Sequence, residues 1–133
     1  MKYRQWYYDS SKSDWWELFD DKTTYDEKSY AGSLFEAEFH MPRAIFDAVL
    51  AQLRERFPDK VHGDGERGAR SQPLVLKWAA CVVKLTENLN FRRAAKLARI
   101  DRSGFRKFFH KAMAYLSEVM VDKHVYLPRT EQW

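Results

Sequence analysis

The 133-residue chain holds one cysteine, five glycines and four prolines, with no internal repeat, and each scarcity removes a class of explanation. A single thiol cannot build a disulfide framework, and Cys81 lies within the apolar run LVLKWAACVVKL, which predicts a buried, unreactive side chain. No apolar stretch approaches the roughly 20 residues that cross a bilayer. The opening MKYRQWYYDSSKSDWWELFD has no signal-peptide core, because polar residues interrupt its aromatics. An intracellular protein with no membrane partner is therefore expected. The four histidines, His40, His62, His110 and His124, show no metal-ligand spacing with one another or with Cys81. The acidic pairs Asp20-Asp21 and Asp26-Glu27 lack the carboxylate pattern of two-metal chemistry, and GDGERG at 63–68 has neither the spacing nor the Lys-Ser/Thr of a phosphate loop. No cofactor, metal site or catalytic residue is predicted.

What the chain does have is apolar and aromatic mass, 45% and 16% of its residues, enough for one domain with a real core. Its charge is unevenly spread. Residues 1–60 carry nine Lys/Arg against twelve Asp/Glu, whereas residues 61–133 carry fourteen against seven. The extreme is 91–111, FRRAAKLARIDRSGFRKFFHK, with eight Lys/Arg and the single acid Asp101. Attraction to a polyanion depends on such a local field more than on the modest total of +4.

Periodicity predicts an all-α fold, a compact bundle of about five or six helices. Residues 1–30 read as an aromatic, acidic arm packed on the domain, with Trp6, Tyr7, Trp15, Trp16, Leu18 and Phe19 as anchors and Ser11 or Ser13 capping a short helix. Residues 31–133 form the helical domain proper. A helix over 33–39 should stop at His40-Met41-Pro42, and Pro42 should open the next as its first residue, with Ile45, Phe46, Val49, Leu50, Leu53 and Phe57 on one face. Residues 59–72 have no periodicity and read as a surface loop. A helix over 73–87 is apolar nearly all round, broken by Lys77 and Lys84, as suits the centre of a bundle.

The segment that follows, 91–121, fits a helix-turn-helix. Asn90 can cap a short helix whose Phe91, Ala94, Ala95 and Ala98 face inward, and Asp101 can cap the next. On that second helix Phe105, Phe108, Phe109, Ala112 and Leu116 share one side, and Ser103, Arg106, Lys107, His110 and Lys111 lie opposite. The turn places Arg99 where many such turns have glycine; a positive φ there would carry strain, which predicts a longer or differently shaped turn. An amphipathic helix with one cationic face is suited to the DNA major groove. The expected DNA contacts are Arg102, Ser103, Arg106, Lys107 and His110 toward the groove, with Arg92, Arg93, Lys96 and Lys111 on flanking phosphates. Arg106 is the candidate for a bidentate guanine contact.

The order WWELF, SYAGSLFEAEFHMPRAIFDAVLAQL, a charged loop, QPLVLKWAACVVKLTENLNFRRAAKLARIDRSGFRKFFHKAMAYL and HVYLPRTEQW resembles the N-terminal region of PIF/Harbinger-type transposases and their domesticated nuclease-like relatives. In that family an F-R-M-P/S segment opens one helix, a P-L-x-L-K helix follows, and a helix-turn-helix precedes a Y-L-P/R-x-T link to the nuclease. His40 stands where the family often has Arg. The resemblance covers about 15–133 and implies the DNA-binding part of such a transposase or a relic of one, nuclear, with double-stranded DNA as partner. A nuclease-bearing partner or self-association would supply what is missing, since the DDE carboxylates would follow the link and none can be carried onto this sequence. No enzymatic activity is therefore expected. The competing expectation is a helical protein-interaction module that docks through its aromatic, acidic half and binds no nucleic acid.

Overall fold

A computed structural model of the chain describes residues 10–57 and 73–124, with side chains from 11 to 119 within those spans. Every regular element among them is helical. A 3₁₀ turn at Ser10–Lys12 leads into α1 (Trp16–Asp20), a second at Lys22–Tyr25 into α2 (Tyr30–Phe39), and α3 (Arg43–Arg56), α4 (Leu74–Glu87), α5 (Phe91–Ala98) and α6 (Arg102–His124) follow. The all-α bundle is as expected. The loop at 59–72, Trp6, Tyr7 and the segment after His124 lie outside the described residues.

Local chemistry sets the boundaries. Helix α2 begins three residues earlier than periodicity suggests, because the Ser29 hydroxyl accepts from the Gly32 N–H at 2.9 Å. A Cβ at Gly32 would lie 2.1 Å from the Asp26 carbonyl oxygen, so only glycine lets this turn press against the preceding chain. His40 ends α2 in the left-handed region (φ 59°), its N–H returning to the Glu36 carbonyl. Pro42 stands one position before the expected one, as the extended N-cap of α3 rather than its first residue. The apolar face of α3 is Phe46, Leu50 and Leu53, all buried. Ile45, expected beside them, is 52% exposed, since it lies about 100° round the helix from Phe46.

Helix α4 runs through the centre, touching α2, α3, α5 and α6, and Leu74, Leu76 and Trp78 through Val83 are buried. Its last turn leaves the core, so Leu85, at the end of the apolar run, is exposed. Around its first half is an aromatic cluster in which Phe39 lies 4.8 Å from Phe35 and 5.3 Å from both Trp15 and Phe46, between ring centroids. Each such pair contributes about 0.5–1.5 kcal/mol beyond the area it buries. The N-terminal segment is built into this cluster. Trp15 and Phe19 are core residues, and the Trp15 indole N–H donates to the Glu38 carboxylate at 2.9 Å. Ser13, expected as a cap, is buried, accepts only weakly from the Trp15 N–H at 3.3 Å, and donates its hydroxyl to the Leu97 carbonyl of α5 at 3.1 Å. Trp15 itself occupies the N-cap position of α1 without a side-chain cap.

Arg43 closes the same cluster. Its guanidinium carbon is 4.4 Å from the Tyr25 ring centroid and 5.5 Å from that of Phe35, and the group donates to the Leu18 carbonyl (3.2 Å), the Thr24 hydroxyl (2.7 Å) and Asp47 (3.4 Å). The Tyr25 hydroxyl donates to Asp47 as well, and that carboxylate holds the phenol proton on above the usual range. No helix among the described residues is long and apolar enough to cross a membrane.

Candidate nucleic-acid interface

The α5–turn–α6 unit is positioned by caps and by small residues. The Asn90 side chain accepts from the Arg93 N–H at 2.8 Å and starts α5. Ala94, Ala95 and Ala98 are fully buried, and their small side chains let α5 lie closely against α4 and α6. The turn keeps the three residues Arg99, Ile100 and Asp101, and Arg99 itself takes the left-handed conformation (φ 59°, ψ 44°) rather than lengthening it. Its N–H returns to α5, the Ile100 N–H bonds the Ala95 carbonyl at 3.0 Å, and Ile100 is buried. Asp101 then caps α6, its carboxylate accepting from the Gly104 N–H at 2.9 Å and the Ser103 hydroxyl at 3.1 Å.

Helix α6 turns Phe105, Phe108 and Ala112 into the core, with Phe109 and Leu116 half-buried beside them. At 23 residues it is about 34 Å long, far longer than its basic segment. Arg92, Arg93, Lys96, Arg102, Ser103, Arg106, Lys107, His110 and Lys111 are all exposed. Ser103, Arg106, Lys107, His110 and Lys111 span an arc of about 140° on the side of α6 away from Phe105. Asp101, the one acid of the segment, has its carboxylate engaged by α6. Among the described residues Arg92, Arg93, Arg102, Arg106, Lys107 and Lys111 form no ion pair; Arg43 pairs with Asp47, and His40 hydrogen-bonds Glu87, away from these two helices. Among the described residues these six cations are left without an acidic partner on the outer face of the two helices.

One edge of this face was not foreseen. Phe91, expected inward, is half-buried, and its ring collects groups from α4 and α6. The Lys84 Nζ is 4.5 Å from its centroid, the Arg106 guanidinium carbon 5.6 Å and the His110 ring 5.7 Å, with Phe105 and Phe109 packed edge-on against it. Lys84 is steadied by donating to the Leu89 carbonyl at 3.2 Å. In the sequence Lys84 is only a break in an apolar run. Its place beside α6 depends on how α4 crosses that helix.

Among the described residues no three His, Cys, Asp or Glu side chains gather as metal ligands. Cys81 is buried within α4, and desolvation pushes its thiol far above its ordinary range. No protein-family model, curated protein or solved structure matches this chain.

Proposed function

We propose that the protein binds double-stranded DNA through the α5–turn–α6 helix-turn-helix, as the DNA-binding part of a Harbinger-type transposase or a relic of one, working in the nucleus. The observation that carries this reading is the outward face of the two helices, where nine polar or basic side chains from Arg92 to Lys111 stand exposed, with no ion-paired acid among the described residues to offset Arg92, Arg93, Arg102, Arg106, Lys107 or Lys111. Arg102, Ser103, Arg106, Lys107 and His110 lie on the groove side of α6, and Arg92, Arg93, Lys96 and Lys111 hold flanking phosphates. Phosphate contacts supply most of the affinity and fix register, while base edges supply discrimination. The role is binding; chemistry on DNA would come from a nuclease-bearing partner or another copy. The sequence resemblance supports the same reading.

The test is binding of a labelled duplex between 50 and 200 mM KCl. Micromolar non-specific affinity is expected, with log K falling against log salt at a slope of roughly −4 to −5 if about five phosphates are contacted. Absence of binding at low salt, or binding indifferent to salt, rejects the proposal.

A further inference from the structure

Two cations from different helices converge on the Phe91 ring. Lys84 and Arg106 both lie on one ring, so their charges are within about 10 Å of each other whatever the angle between them, roughly a Debye length at 0.1 M salt. Acids near them in sequence face elsewhere. Glu87, one turn beyond Lys84, lies 3.2 Å from the His40 ring, and Asp101 accepts from Gly104 and Ser103. Contact with the ring holds the two side chains in place but neutralises neither charge. A single anion between the two cations would satisfy both. The half-buried Phe91 supplies a rigid floor, and His110 a third nitrogen-bearing wall.

Resting on the DNA-binding reading, we propose that Lys84, Arg106 and His110 around Phe91 form a seat for one backbone phosphodiester of duplex DNA. This extends the interface from the helix-turn-helix to α4. It also gives Arg106 a positioning role: its guanidinium leans toward the protein body at the edge of the arc, while Ser103 and Lys107 occupy the middle of the exposed face. Lys84 becomes a DNA contact although it lies outside the basic segment. The seat is built for a phosphate held on a duplex, where neighbouring contacts on α5 and α6 add to it, rather than for free phosphate.

The test measures binding of two unrelated duplexes to wild type, Lys84→Gln, Lys84→Arg, Arg106→Gln and the double Gln variant across the same salt range, with thermal melting to confirm folding. Lys84→Gln should weaken both duplexes equally, about three- to tenfold at 100 mM KCl, and lower the salt slope by roughly one. Lys84→Arg should bind as wild type. Arg106→Gln should also act on both duplexes alike, and the double variant should lose less than the two single losses combined, because the cations share one phosphate. Inorganic phosphate added at constant ionic strength should compete no better than chloride. A folded Lys84→Gln with unchanged affinity and slope overturns the seat while leaving the DNA reading intact. An Arg106→Gln effect confined to one duplex overturns it in favour of base reading, and preferential competition by free phosphate assigns the pocket to that ion instead. Failure of wild type to bind either duplex at 50 mM KCl removes both proposals together.

Discussion

Two regions of this molecule place a cation against phenylalanine rings, with opposite outcomes. In the cluster of α1, α2 and α3, Arg43 lies over Tyr25 and Phe35, and three of its N–H groups reach the Leu18 carbonyl, Thr24 and Asp47, so its charge is paired within the protein. At the edge of α4, α5 and α6, Lys84 and Arg106 lie over Phe91, and neither has an acidic partner among the described residues. The aromatic contact is similar; the difference is whether the charge is closed off. A closed cation holds the fold together. An open one, repeated along two helices, makes a surface whose energy falls when an anion arrives.

The largest effect that would break the comparison is in the packing that presents the open face. Phe105 is 1% exposed and packs against Phe91 and Phe109, so Phe105→Ala should cost about 3–5 kcal/mol by thermal or denaturant melting and reduce DNA binding through loss of fold. A near-wild-type melting temperature would show that α6 does not rest on this side. Next in size is the closed cation. Arg43→Gln should destabilise by about 2 kcal/mol, through lost charged hydrogen bonds and ring contact, while leaving the salt slope of DNA binding unchanged. A change in slope at constant fold would mean that Arg43 belongs to the interface. The smallest effect is at the turn. Arg99 holds φ 59° without being glycine, and Arg99→Gly should raise the melting temperature by about 3 °C or less, relief of strain being partly offset by a freer unfolded chain.

Helical class, the Asn90 and Asp101 caps and the inward residues of α6 were legible because each depends on neighbours within one or two turns. At Arg99 the missing glycine pointed to a longer or differently shaped turn, whereas Arg99 takes the positive φ itself and the turn stays short. What escaped was set by distant partners. Ser13 serves Leu97, 84 residues away, so no local pattern could show that it ties the first segment to α5. Trp15 and Phe19 were named as anchors of residues 1–30 and are buried, but the rings that receive them, Phe39 and Phe46, come from other helices and could not be named. Ile45 and Leu85 are apolar but sit at the margin of a face or the end of a helix, where periodicity does not resolve burial. The basic residues of the candidate interface were readable as a cluster with one acid. Lys84 was not, because its contribution arises from the packing of α4 on α6.

If the open face of α5 and α6 is the DNA site, the triple variant Arg92→Gln, Arg93→Gln, Lys111→Gln, whose three side chains are all exposed, should keep its melting temperature. Its duplex affinity should fall at least tenfold at 100 mM KCl, with a salt slope shallower by nearly three than that of wild type. A folded triple variant that binds duplex DNA with wild-type affinity and slope would contradict it.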